Sequence, residues 1–296
     1  MIFLARFILK GPSQAALVAA ALAILGLLLP PAAWLSGAAI GLVTLVNGHR
    51  AGLLLTAYAT VGAAVFAGII FSVPLAALYF VLLVWLPVWA IAVVLRQTVS
   101  LALSLQLLTI VSLVGVLVLY LLFPDFGEYW REPLDTMIQQ LLASNSGFDE
   151  AHLKLVEEQV IRILPGLFAS SFMVGAMLSL FLARWWQAVL YNPGGFGKEY
   201  RALKLGNVSA LVALAITVAG LLFASDTLSA MLFVVFTLYM NQGIAVLHAV
   251  FTGRQLNKVW LYLVYGLMFF VPQVIVLLAM AGLADTWIDF RRRLIA

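Results

Sequence analysis

Long apolar runs separated by short polar breaks fill most of this chain, and their lengths predict its elements. A helix needs about 20 apolar residues to cross a hydrocarbon core of roughly 30 Å. Runs of suitable length lie at Gln14–Leu29, Ala32–Val46, Ala51–Phe71, Leu75–Leu95, Leu101–Phe123, Gly166–Leu182, Val208–Ala224, Leu228–Phe251 and Val259–Leu283. Backbone groups find no water in lipid, so these spans are predicted to be helices. A β-barrel would instead show alternating segments of about ten residues. Pro30-Pro31 divides the first two runs, which form two spans or one crossing plus a re-entrant turn. The predicted fold is all-α: one polytopic transmembrane helix bundle over residues 1–296, with eight or nine spans. The first residues, with Phe7, Ile8 and Leu9 among basic residues, read as a signal anchor rather than a cleaved signal peptide.

The longest polar stretch, 124–165, is predicted to be an extracytoplasmic amphipathic insert of two short helices. Leu153, Val156, Val160 and Ile163 recur at helical spacing along it. Asp149 stands as the N-cap of the second helix and Pro165 as its end.

Charge then orients the spans. With a cytoplasmic N-terminus, Arg6, Lys10, Arg50, Arg96, Arg184, Lys198, Arg201, Lys204, Arg254 and Lys258 fall inside. Arg131, Lys154, Arg162 and Arg291 to Arg293 fall outside. The excess of inner Lys and Arg follows the positive-inside rule. The Arg291–Arg293 triplet is the misfit, and it signals either an incomplete last crossing or a miscounted span. The predicted location is a bacterial cytoplasmic (inner) membrane.

Composition narrows the function classes. Of 296 residues, 65% are hydrophobic and 9% charged, against about 45–50% and about 25% in soluble domains. This excludes a soluble enzyme, a nucleic-acid-binding domain and a disordered chain, so the lipid bilayer is the first partner and nucleic acid is not one. The absence of cysteine removes thiol chemistry and thiolate metal sites. Three dispersed histidines do not make a metal site, and no phosphate-binding loop appears. No cofactor is expected.

Within the predicted spans the polar side chains are neutral. The eighth carries Tyr239, Asn241, Gln242 and His248; the ninth carries Gln273 beside Pro272. Asn241 and His248, seven apart, share a helix face. Pro272 frees a backbone carbonyl beside Gln273. Tyr239, Asn241, Gln242 and Gln273 are therefore candidate ligand-binding residues for a small uncharged or weakly charged molecule. The alternative is that Asn and Gln join helices by hydrogen bonds.

Glu157-Glu158-Gln159-Val160-Ile161-Arg162 reads E-E-x-x-x-R, similar to the first motif of the CAAX-protease and bacteriocin-processing intramembrane family. The accompanying F-x-x-x-H is absent, since Ile244 stands four before His248. No catalytic residue is assigned on this basis; an intramembrane protease is a third and weakest alternative.

The most individual stretch runs from Arg184-Trp185-Trp186-Gln187 through Tyr191-Asn192-Pro193-Gly194-Gly195-Phe196 to Glu199, Arg201 and Lys204. It predicts an Arg/Trp interfacial anchor, a turn at Asn-Pro-Gly-Gly, and a basic amphipathic segment in a cytoplasmic loop at 184–207. This stretch resembles the YybS-like family of uncharacterised bacterial polytopic membrane proteins. That family is distantly similar to the S components of energy-coupling-factor vitamin transporters. The resemblance implies binding of a small metabolite and docking on a membrane coupling subunit. In S components that docking uses small residues four apart in the first span, a spacing present here at Ala15, Ala19 and Ala23. Ala15, Ala19, Ala23, Arg184, Trp185, Asn192, Pro193, Gly194, Gly195, Arg201 and Lys204 are thus candidate partner-docking residues. The alternative function is a non-transporting scaffold or assembly factor that works through its cytoplasmic loop.

Overall fold

In the computed structural model, the described residues are 2–144, 149–223 and 225–295, and none of them forms a strand. The helices are α1 (Ile2–Ile8), α2 (Pro12–Gly26), α3 (Pro30–Asn47), α4 (His49–Phe71), α5 (Ala76–Phe80), α6 (Leu86–Thr98), α7 (Leu101–Leu122), α8 (Arg131–Ala143), α9 (Glu150–Tyr191), α10 (Gly195–Arg201), α11 (Gly206–Phe223), α12 (Asp226–Gly253), α13 (Val259–Phe270), α14 (Gln273–Ile288) and α15 (Phe290–Ile295). Among the described residues, seven single elements are long and apolar enough to cross a membrane, including a continuous Ala76–Thr98. The helical, polytopic bundle is as the hydrophobic runs predict.

The core forms where small residues allow close approach. Pro30 and Pro31 occupy the first turn of α3, where a missing N–H costs nothing. The helix then presents Ser36, Gly37, Ala38, Ala39 and Gly41, all buried. A Cβ on Gly37 would lie 2.7 Å from Ser179 Oγ, and one on Gly41 2.9 Å from the Ala183 Cβ. This is how α3 nests against α9. Ser36 donates to the Ala19 carbonyl at 2.7 Å and accepts from Trp85 Nε1 at 2.9 Å, joining α2 and α3 to the turn before α6. That turn, Val81–Trp85, is a π-helical segment. It places Pro87 in the first turn of α6 and absorbs the proline inside one span.

Three sequence expectations are corrected by this fold. First, α9 does not end at Pro165; it runs for 42 residues, with Pro165 inside it. The Ile161 carbonyl, which cannot bond to a proline nitrogen, is covered by Gly127, where a Cβ would sit 2.8 Å from that oxygen. The face this helix buries in the insert carries Glu157, Ile161 and Pro165, whereas Val156 and Ile163 are exposed. Second, Trp186 is fully buried, and only Trp185 remains an exposed anchor.

Third, the run Val259–Leu283 is not one crossing. It is two helices, α13 and α14, bent by 119° about Val271-Pro272. Gly243 of α12 faces Gly282 of α14. A Cβ on the first would collide with the Leu278 carbonyl, and one on the second with the Tyr239 carbonyl. Each clashing residue precedes the opposite glycine by four. Gln242 bonds the Gly282 carbonyl and, twelve residues on in both segments, Arg254 bonds that of Leu294, so α12 and α14 run toward the same face. Their backbones touch in the manner of small-residue membrane pairs.

Both ends of this hairpin reach the face that carries the 184–207 loop. Lys204 pairs with Asp289 at 2.7 Å, Arg291 donates to the Leu203 carbonyl at 2.5 Å, and Arg254 donates to that of Leu294. Helices of 12 and 16 residues reach about 18 and 24 Å, short of a core of roughly 30 Å. The hairpin is re-entrant. Arg291, Arg292 and Arg293 therefore join the loop face, leaving only Arg131, Lys154 and Arg162 of the basic residues on the insert face.

Candidate functional site

The loop stretch singled out in the sequence is a clasp. Arg184 Nε meets Glu199 Oε2 at 2.8 Å, with both side chains largely buried. Arg184 also donates to Gln187 Oε1 at 2.9 Å, and Gln187 donates to the Leu45 carbonyl at 3.3 Å. Asn192 caps α9, and Gly194 takes φ +83°, a left-handed backbone that suits glycine, to turn the chain into α10. The turn and the ion pair together fold α10 back under α9 and α12.

Folding back delivers two aromatic rings, Phe196 and Tyr200, four residues apart and so on one face. They pack with Phe181 of α9; Phe181 and Tyr200 meet edge to face at 5.4 Å. Tyr200 donates its hydroxyl to the Asn241 carbonyl of α12 at 3.3 Å. Burial raises the pKa of this phenol, so it remains a neutral donor.

These rings wall a cavity of about 350 Å³ between α9, α10, α12 and α13. Val174, Met177 and Leu178 line it from α9, Met240, Asn241, Ile244 and His248 from α12, and Tyr265 from α13. His248 Nε2 and Tyr265 Oη share a hydrogen bond at 2.6 Å across it. Asn241 Nδ2 donates to the Thr237 carbonyl at 2.9 Å and touches Met177 Sδ at 3.1 Å. Among the described residues no hydrogen bond engages Asn241 Oδ1, which leaves an acceptor in the wall. An apolar cavity with a few convergent polar groups is the usual form of a small-molecule site.

Of the four candidate ligand residues, Asn241 alone lines this cavity. Gln242 is fully buried and joins elements: Oε1 accepts from the Leu205 N–H at 2.9 Å, and Nε2 donates to the Gly282 carbonyl at 2.7 Å. Tyr239 is buried elsewhere, and among the described residues its hydroxyl has no hydrogen-bond partner. Gln273 opens α14 on an exposed surface, away from the cavity. Tyr200, Phe196, His248 and Tyr265 complete the site. Only the shared face of Asn241 and His248 was visible in the spacing.

The proposed docking residues divide similarly. Ala15, Ala19 and Ala23 are at most 1% exposed; they pack inside the chain and form no outer face. Arg184 and Lys204 are engaged by Glu199 and Asp289, and Arg201 is half-buried. Asn192, Pro193 and Gly194 are exposed, as is Trp185, while Gly195 is half-buried against the Asn192 side chain.

A larger depression, about 1020 Å³, lies on the insert. Its two cations are paired, Arg131 with Glu128 and Glu158, and Lys154 with Asp135 and Glu157. Those pairs lower the pKa of Glu128 and of Glu158. The E-E-x-x-x-R glutamates thus belong to an ion-pair network. Among the described residues no group of three or more His, Asp or Glu is placed to hold a metal.

No curated protein and no solved structure matches the chain. The profile of one family, described as predicted membrane protein (DUF2232), matches residues 17–286. That match takes in the helices from α3 to α13 entire, including the clasp and every residue of the cavity. The chain belongs to the DUF2232 family of membrane proteins.

Proposed function

We propose that the protein is a membrane-embedded binding component for a small uncharged ligand, held in the cavity between α9, α10, α12 and α13. The observation that carries this reading is the convergence there of an unengaged Asn241 Oδ1 and the His248–Tyr265 pair within apolar and aromatic walls. Relatedness to transporter S components is the fuller form of this reading. It requires a separate energy-supplying partner, because no nucleotide-binding motif is present. The concentration of Lys and Arg on the loop face supports a cytoplasmic assignment of that face in a bacterial inner membrane. The exposed Trp185 and Asn192–Gly194 turn favour a second reading, a scaffold that engages a partner through this loop.

The test is native mass spectrometry of the full-length protein released from its own membrane in nanodiscs. A stoichiometric small molecule that is lost in an Asn241→Leu variant of unchanged thermal midpoint is the expected result. An empty cavity in the wild-type protein overturns the binding reading.

A further inference from the structure

The cavity itself narrows the ligand class, on the assumption that it is the binding site. No Asp, Glu, Lys or Arg side chain lines it. A charged ligand transferred there would lose hydration without a countercharge, which is costly in a low-dielectric site. An uncharged ligand is accommodated.

The polarity is also graded. α9 runs toward its clasp at Arg184, and Val174 lies ten residues before that point, about 15 Å deeper. The apolar lining is Val174, Met177, Leu178 and Met240, with Asn241 at the level of Met177; the remaining polar atoms belong to Tyr200, His248 and Tyr265. Tyr200 is on α10, which the Arg184–Glu199 pair holds at the loop face. A ligand that satisfies this lining has a hydrogen-bonding head between Asn241 and that face and an apolar body along Val174, Met177, Leu178 and Met240.

The third observation is the route. Leu178 and Tyr265 line the cavity from α9 and from α13, and they are 39% and 42% exposed. α13 has no buried residue at all, so one thin helix stands between the cavity and the acyl chains.

We infer that the cavity takes an uncharged single-headed amphiphile from the bilayer, admitted sideways between Leu178 of α9 and Tyr265 of α13. The hydroxyl head donates to Asn241 Oδ1 and meets the His248–Tyr265 pair, and the chain lies along Met177 and Met240, whose flexible thioethers adapt to its shape.

The probe is a long-chain fatty alcohol bearing a photoreactive diazirine, added to the full-length protein in phospholipid nanodiscs. The same chain with a phosphate head is the comparison. The expected result is labelling confined to peptides of α9 and α13, competed by unlabelled alcohol and not by the phosphate form. Asn241→Leu should weaken it about five-fold, the worth of one hydrogen bond. Leu178→Trp, which narrows the mouth from the exposed side, should abolish it. Tyr265→Phe lies on a helix with no buried packing, so it supplies a second variant if Asn241→Leu misfolds; it should also weaken labelling.

Equal competition by the phosphate form, or labelling indifferent to all three variants, overturns the inference. A water-soluble metabolite that binds in an Asn241-dependent way, with no alcohol labelling, sinks this inference and leaves the binding reading standing. If neither probe nor metabolite depends on Asn241, both fall.

Discussion

Arg184 and Glu199, fifteen residues apart in the chain, meet at 2.8 Å and tie the end of the longest helix to the short helix that carries Tyr200. Each side chain is only 17% exposed. Removing one partner leaves the other charge partly buried, which in buried pairs costs about 3–5 kcal/mol and here falls near or below the lower figure. An Arg184→Met variant is expected to lower the thermal midpoint and weaken ligand retention together. The double change Arg184→Glu with Glu199→Arg should recover both in part. Failure of the exchange to recover anything would show that Gln187, the second partner of Arg184, dominates.

Gly243 and Gly282 set the distance between α12 and α14. Alanine at either site would force the backbones apart, and overpacking of this kind costs about 1–3 kcal/mol. Gly266 on α13 has nothing within 4 Å of an added Cβ. Alanine there should be neutral, or stabilising by up to about 1 kcal/mol through helix propensity. Thermal unfolding of the three variants in one detergent compares them directly.

Gln242 closes the junction between the loop and the hairpin. Leucine in its place would leave the Leu205 N–H buried without its partner, at about 1–3 kcal/mol for an unsatisfied group. Trypsin should then cut at Arg291–Arg293 faster than in the wild-type protein, while cleavage within the insert is unchanged.

The Lys204 ammonium holds the Asp289 carboxyl below its ordinary pKa. A depressed carboxylate contributes stability above its unfolded value, 3.8, and loses that contribution as pH falls through the folded value. The wild-type protein should therefore melt above Asp289→Asn at pH 6, with the gap closing as the pH is taken below 3.8. A gap that persists in strong acid would mean that Asp289 acts through its helix-cap geometry rather than its charge.

The spans were legible because crossing a bilayer demands continuous apolar runs, and Leu101–Leu122 or Asp226–Gly253 offers little else. The last run was not. Hydropathy is blind to direction, so a span kinked at Pro272 and a hairpin turning there read alike. The Arg291–Arg293 triplet, stranded on the wrong side by a full crossing, was the one trace of the difference. The Ala15, Ala19 and Ala23 stripe was ambiguous for a related reason: small residues permit close packing without naming the neighbour, which turned out to be internal. The cavity was half legible. Asn241 and His248 share a face by spacing alone, but Tyr200 and Tyr265 reach it from separate elements, and only the clasp and the hairpin bring them there. Glu157, which the sequence offers only as part of E-E-x-x-x-R, is a buried carboxylate with Lys154 as its partner.

The re-entrant hairpin also bears on how the chain is assembled into the bilayer. Had Val259–Leu283 crossed, three guanidinium groups would have to be carried through hydrocarbon late in synthesis, at a cost of several kcal/mol each. Since Lys258 and Arg291 lie on one face, that translocation never occurs. α14 can slide into the Gly243 slot after α12 is already seated, and the salt bridge to Lys204 then locks it. The α13 wall of the cavity follows α9, α10 and α12 in the chain, so a ligand present during synthesis would meet a site still open on that side.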